Sequence, residues 1–183
     1  MKQKIPLTHL TFLAICIALS LVSKHIIAPI TNILTDLIRI PGGGAAAAFS
    51  IMFLVVGTGG LQWRWATTAA AFVQGLIALT LGMSSYQGLF AVLTYTVPGL
   101  VIDLLRLVFP NRDKNYFTVS CGLANGAGAF LSNLFVFHLE GIPFLLWMLV
   151  ALIVGMFGGC IGELLFQRIL RIPKYRRILC QKS

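Results

Sequence analysis

Charged residues are scarce in this sequence. Only 10% of the 183 residues are Asp, Glu, Lys or Arg, whereas 58% are hydrophobic and the mean hydropathy is +0.91. Soluble domains carry roughly 25% charged residues, which keep their surfaces hydrated. The shortage of charge therefore excludes an ordinary soluble domain and indicates a membrane protein whose surface faces lipid.

Motifs of common catalytic and metal sites are absent as well. The sequence has no G-x-x-x-x-G-K-[ST] phosphate loop, so the chain does not hydrolyse ATP by that route, and it has no H-E-x-x-H or G-x-S-x-G motif. The nearest acid–base or metal cluster, His138-Leu139-Glu140, has the wrong spacing for a zinc protease. The cysteines are too scattered for a zinc or redox motif: Cys16, Cys121, Cys160 and Cys180. We predict no enzyme, no metal site and no cofactor.

Long apolar segments are what the sequence does contain. Crossing about 30 Å of hydrocarbon takes roughly 20 apolar residues in a helix, or fewer in short helices. Short connections rich in turn-forming residues, such as 57–60 and 82–85, separate the segments. We predict an all-α integral membrane protein, one domain of six transmembrane helices. The predicted spans are about 9–29, 43–58, 62–82, 87–109, 117–138 and 143–168, followed by a basic tail at 169–183.

Basic residues are distributed unevenly among the connections. With a cytoplasmic N-terminus, the predicted inside segments hold twelve of the fourteen Lys and Arg residues, and the outside segments hold only Lys24 and Arg39. Cytoplasmic loops carry such an excess of positive charge. We therefore predict that both termini are cytoplasmic. The net charge of +9 is explained by membrane topology, and we predict no nucleic-acid partner.

Two alanines in the first span, Ala14 and Ala18, are four residues apart. Residues at this spacing share one helix face, and small side chains there let another helix approach closely. The alternative is ordinary packing inside the bundle.

These features resemble the S components of energy-coupling factor (ECF) transporters, a type of ABC transporter. The resemblance is carried by the architecture, by Ala14 and Ala18 after the polar start at 4–8, and by the stretches 40–53 and 57–60. It implies a substrate-capture subunit for vitamin or micronutrient uptake in a bacterial or archaeal cytoplasmic membrane. It also implies partners: a transmembrane T subunit, onto which Ala14 and Ala18 dock, and two ATPase subunits. The alternative function is a self-contained small-solute permease or channel.

Polar and aromatic side chains in the outer halves of the spans are candidates for the binding site. Polar groups are costly inside a membrane, and a few of them among apolar walls suit a small heterocyclic ligand such as a vitamin or its precursor. The main candidates are Gln74, Asn133, Tyr95 and Trp147, and the others are Lys24, His25, Tyr86 and Gln87.

These candidates have structural alternatives. Gln74 and Asn133 are equally suited to hydrogen bonds between helices, Tyr86 and Trp147 to the interfacial belt, and Lys24 to snorkelling toward headgroups. The sequence does not name the substrate; thiamine or its pyrimidine precursor is one hypothesis.

Three ionisable residues lie deeper, toward the cytoplasmic side: Asp103, Arg106 and Glu163. An isolated carboxylate would be expensive there, so we expect a buried network among them.

Overall fold

The computed structural model describes residues 7–36, 43–59, 61, 63–83, 88–109 and 115–171. These residues form α-helices and connections, with no strand among them. A helix lies in each of the six segments that the sequence predicts. The helices are α1 (Leu7–Asp36), α2 (Gly43–Thr58), α3 (Ala66–Thr80), α4 (Phe90–Val108), α5 (Asn115–Ser132), continued by a π-helical turn (Asn133–Phe137), and α6 (Ile142–Leu170).

Four helical stretches are long and apolar enough to cross a membrane: Leu7–Ile33, Phe90–Val108, Asn115–Phe137 and Ile142–Leu170. Helices α2 and α3 are apolar but shorter, with 16 and 15 residues. The prediction of an all-helical chain with membrane-length apolar helices is confirmed. Six spans with cytoplasmic termini stay a prediction.

Much of the outer surface of the bundle is apolar. Large aliphatic and aromatic side chains are exposed along α1, α4 and α6, including Leu19, Leu93, Leu149, Ile153 and Phe157. Soluble monomers rarely expose apolar patches of more than a few hundred Å². This surface is compatible with contact with lipid chains.

Helix α2 is the centre of the bundle and contacts each of the other five helices. It has no charged residue, and it begins with two glycines and four alanines (43–48). A helix that is apolar on all sides buries best among other helices. Eleven of its sixteen residues are buried, and its small side chains let its neighbours approach closely.

Glycines on two faces of α6 bring this helix against both α2 and α5. Gly155 and Gly159 pack on α5, and Gly158 and Gly162 pack on α2. A Cβ on Gly155 would lie only 2.8 Å from the carbonyl oxygen of Cys121. Each pair has the four-residue spacing that places small residues on one helix face. The lack of side chains thus lets the backbones of α2, α5 and α6 pack together.

Asp103 does not join the predicted ionic network. Its Oδ2 accepts hydrogen bonds from both the backbone N–H and the Oγ1 hydroxyl of Thr68, each at 2.7 Å. Thr68 is the third residue of α3, where backbone N–H groups have no partner within the helix. Asp103 therefore caps the N-terminus of α3 from the neighbouring α4.

Arg106 and Glu163 also find separate partners. The Arg106 guanidinium donates to the carbonyl oxygens of Leu61 and Trp63, while Glu163 accepts from Gln167 one helical turn away at 2.9 Å. The expected network was wrong, because each ionisable side chain bonds to groups near it instead: Asp103 to Thr68 at the start of α3, Arg106 to loop carbonyls, and Glu163 to the Gln167 side chain.

The glycine contacts of α6 give a stability prediction. We expect Gly159→Ala to destabilise the protein by about 1–3 kcal/mol, because the new Cβ would overlap the carbonyl oxygen of Phe117 on α5. The measurement is the thermal unfolding midpoint of the purified protein in detergent, which should fall by several degrees. Gly43→Ala is the control, because nothing lies within 4 Å of its added Cβ. Equal midpoints for the two variants would contradict the close approach of α5 and α6 at Gly159.

Candidate functional site

A cavity opens at one end of the bundle, where all six helices contribute to its wall. It lies near the C-terminal parts of α1, α3 and α5 and the N-terminal parts of α2, α4 and α6, so alternate helices run toward and away from it. This is the end that the sequence predicts to face outward. The described residues that line it are Lys24, Gly43, Gly44, Ala47, Ser50, Ile51, Leu54, Gln74, Met83, Thr94, Tyr95, Pro98, Asn125, Gly128, Ala129, Ser132, Val136, Phe137 and Trp147.

The cavity has a volume of about 190 Å³. An apolar cavity of roughly 150 Å³ in another protein holds a benzene molecule, so there is room for one substituted ring. The walls are mainly apolar, with a few polar groups between them. This composition is typical of small-molecule binding sites.

A buried hydrogen-bond network lies at the wall formed by α1, α2 and α3. Gln74 Nε2 donates to the hydroxyl oxygens of Ser20 and Ser50, each at 2.7 Å, and the two hydroxyls lie 2.7 Å apart. Ser20 also donates to the Ser50 carbonyl oxygen at 3.0 Å. The Gln74 amide nitrogen is therefore used to hold three helices together, although Gln74 lines the cavity.

Lys24 reaches across from α1 to α4 at the cavity. Its Nζ donates a hydrogen bond to the Tyr95 hydroxyl at 2.7 Å and lies 3.9 Å from the centre of the same ring. The aromatic face and the hydroxyl oxygen both stabilise a cation. Lys24 is half-buried, and Tyr95 is buried. A positive charge is thus held at the cavity wall.

The Asn125 side chain has a fixed orientation at the part of the wall formed by α2, α5 and α6. Its Nδ2 donates to the carbonyl oxygens of Gly44 on α2 and Ala151 on α6, at 3.0 and 2.7 Å. A flipped amide would set its oxygen against two carbonyl oxygens, so the hydrogen bonds fix which atom is which. Asn125 is 1% exposed, and its Oδ1 has no hydrogen-bond partner among the described residues.

Trp147 Nε1 is the second buried polar atom at the cavity that has no partner among the described residues; a third, Asp103 Oδ1, belongs to a residue outside the cavity lining. It is 2% exposed and packs edge to face on Phe137, with ring centres 5.2 Å apart. Its Nε1 lies 3.5 Å from the position that a Cβ would occupy on Gly44. In the described part of the chain, no acceptor lies within hydrogen-bond distance of this N–H. A buried indole N–H usually has a partner, so this donor stands out among the residues that line the cavity.

Comparison with known proteins does not assign the site. No protein-family model, curated protein or solved structure matches the chain. The resemblance to ECF S components stays a prediction, and function must be argued from the cavity.

Four of the eight predicted binding residues line this cavity: Lys24, Gln74, Tyr95 and Trp147. They come from four different helices, because the outer halves of antiparallel helices converge at one end of the bundle. That these residues bind substrate stays a prediction.

The other four candidates are not part of the described cavity wall. Asn133 instead bonds locally, accepting from the Leu139 N–H at 2.8 Å and donating to the Leu139 carbonyl at 3.1 Å. Its side chain closes the end of the π-helical turn. His25, next to Lys24 on α1, is exposed and is not among the lining residues. Tyr86 and Gln87 lie outside the described residues.

Three polar lining residues were missed by sequence reasoning: Ser50, Thr94 and Asn125. Asn125 had a usable signal, because an amide in the middle of an apolar helix is costly and needs a partner or a function. The small hydroxyls had none, since Ser and Thr in helices commonly bond to their own backbone, as Ser132 does to the Gly128 carbonyl.

No group of three or more His, Cys, Asp or Glu side chains is arranged to hold a metal ion within the described ranges. What the arrangement offers is noncovalent binding: an aromatic surface, a cation, one free acceptor and one free donor.

A pair of substitutions tests whether the Trp147 N–H lacks a structural partner. We expect Trp147→Ala to cost about 3–5 kcal/mol, because a large buried side chain is removed. Trp147→Phe should cost clearly less, since the contact with Phe137 survives and no hydrogen bond is lost. Thermal unfolding of both variants measures the difference. A Phe variant as unstable as the Ala variant would reveal a hidden partner for Nε1.

Proposed function

We propose that the chain is the substrate-capture subunit, or S component, of an ECF-type transporter for a vitamin or related micronutrient. It works in a bacterial or archaeal cytoplasmic membrane. The observation that carries this proposal is the cavity at one end of an apolar helical bundle, with two buried polar groups left unpartnered.

The closed inner side of the cavity favours capture over a permanent channel. Ile51 lines the cavity and also belongs to a buried apolar cluster with Val55, Ile102 and Phe117. This cluster fills the described bundle on the side away from the opening. A ligand that enters from one side can leave on the other only if the whole subunit changes its conformation or its position in the membrane. A partner that moves the subunit would provide such a change.

The proposal includes six spans, with both termini in the cytoplasm and the cavity facing outward. Helices α2 and α3 rise only about 24 and 22 Å at 1.5 Å per residue, short of the roughly 30 Å core of a bilayer. For α2 this is tolerable, because it is surrounded by protein instead of lipid. The excess of basic residues in the predicted inside segments supports the orientation.

Reporter fusions test this orientation. We expect a fluorescent protein fused after Lys114 to fluoresce, because that basic connection faces the cytoplasm. Alkaline phosphatase, which is active only outside, should be active when fused after Ser85 in the uncharged connection between α3 and α4. Phosphatase activity after Lys114 and fluorescence after Ser85 would overturn the topology.

Partner docking is supported by the surface of α1. Ala14 and Ala18 are both exposed, whereas Cys16 and Ser20 on the other side of the helix are buried. Larger exposed side chains such as Ile15 flank the two alanines. The small pair forms a shallow depression in which a helix of a T subunit could approach the α1 backbone.

Bulky substitutions test the docking face. We expect Ala14→Trp and Ala18→Trp to abolish uptake and co-purification with a T subunit and two ATPases, because the indole ring would hold the partner helix away. Leu19→Trp is the matched control: Leu19 is also exposed but lies about 100° around the helix from Ala18. It should leave the complex intact.

Co-purification in mild detergent gives the decisive readout. A complex that survives Ala18→Trp would remove the docking role from this face. A well-folded protein that never associates with any T subunit would favour the self-contained permease, for which flux into liposomes is the assay.

A further inference from the structure

The cavity wall has an uncompensated positive charge. Lys24 is the one charged side chain among the described lining residues. Its polar partner is the neutral Tyr95 hydroxyl, and no carboxylate of the described chain forms an ion pair with it. Asp103 and Glu163 bond elsewhere, and Glu140 is exposed.

An unpaired cation in a partly buried site is stabilised by any anion that can reach it. The Tyr95 ring and hydroxyl offset part of the cost of desolvating Lys24 but supply no negative charge. Charge-assisted hydrogen bonds are roughly twice as strong as neutral ones. A ligand carboxylate would therefore gain more at Lys24 than any neutral group.

The part of the wall formed by α2, α5 and α6 has a different chemistry. Asn125 Oδ1 is an acceptor and Trp147 Nε1 is a donor, neither has a partner among the described residues, and both side chains lie beside Gly44. A complementary ligand is a planar heterocycle that carries both a hydrogen-bond donor and an acceptor. Because both protein groups are buried, a ligand lacking these partners would leave them unsatisfied.

We propose that the site takes a small single-ring heterocyclic carboxylate. The ring edge bonds to Asn125 and Trp147, and the carboxylate binds Lys24. This inference rests on the proposed function, whose cargo it assigns. The volume of about 190 Å³ accommodates one ring with short substituents. The same charge disfavours a cationic ligand such as thiamine, for which the described lining offers no counter-charge.

Matched ligand pairs that differ in the carboxylate provide the test. Orotate and uracil share a ring with amide edges, and nicotinate and nicotinamide share a pyridine ring. Isothermal titration calorimetry on the full chain in detergent should give at least roughly tenfold tighter binding for the acid in one pair or both. Thiamine should bind more weakly than the preferred acid.

Substitution of Lys24 links the preference to its charge. We expect Lys24→Met to bring the acid-to-neutral affinity ratio close to one, and Lys24→Arg to keep the preference for the acid. Arg64→Gln is the control: it also removes one positive charge, but from an exposed residue before α3, far from the lining residues. It should leave the ratio unchanged. Unfolding midpoints identify any variant that is misfolded. If Lys24→Met is misfolded, the acid-to-neutral affinity ratio of Lys24→Arg tests the proposal.

Three results would overturn the ligand assignment: equal binding of acid and neutral partner, tighter binding of thiamine, or no acid bound at millimolar concentration. Co-purification with the T subunit separates this failure from failure of the proposed function. An intact complex without acid preference removes the ligand class alone. Acid preference in a protein that never docks keeps the ligand class and removes the S-component role.

Discussion

Close backbone contact among α2, α5 and α6 is the constraint on which the rest of the structure depends. Because α6 presents glycines to both neighbours, α2 can lie in the middle of the bundle and touch every other helix. Its first turn is thereby placed beside the cavity, where Gly44 meets Asn125 and Trp147. Packing in the bundle and the geometry of the binding wall thus have the same origin.

Hydropathy predicted where the helices lie, because a long apolar segment is a local property of the chain. The convergence of Lys24, Gln74, Tyr95 and Trp147 followed from antiparallel order alone. To predict that Asn125 lines the cavity, one would need to know how α5 is rotated about its own axis. Hydropathy does not specify this rotation in a helix that is apolar on most sides.

Asn133 and Asp103 mark a second limit of sequence reasoning. The partner of Asn133 is created by the irregular end of α5, and the partner of Asp103 by the exact start of α3. Both involve backbone groups, the Leu139 N–H and carbonyl for Asn133 and the Thr68 N–H for Asp103, and sequence patterns do not distinguish one backbone group from another. The polar atoms of the site accordingly divide into those whose hydrogen bonds hold helices together, such as Gln74 Nε2 and Asn125 Nδ2, and those that folding leaves unpaired, such as Asn125 Oδ1.

The two hydrogen bonds from Asn125 Nδ2 join α5 to α2 and α6 at once. The conformational entropy of this amide is therefore lost when the protein folds, before any ligand arrives. A bound molecule would meet a rigid template on that side, and little of its binding energy would be used to order the protein. If the cavity binds a ligand as proposed, selectivity on this wall would come from the folded state itself.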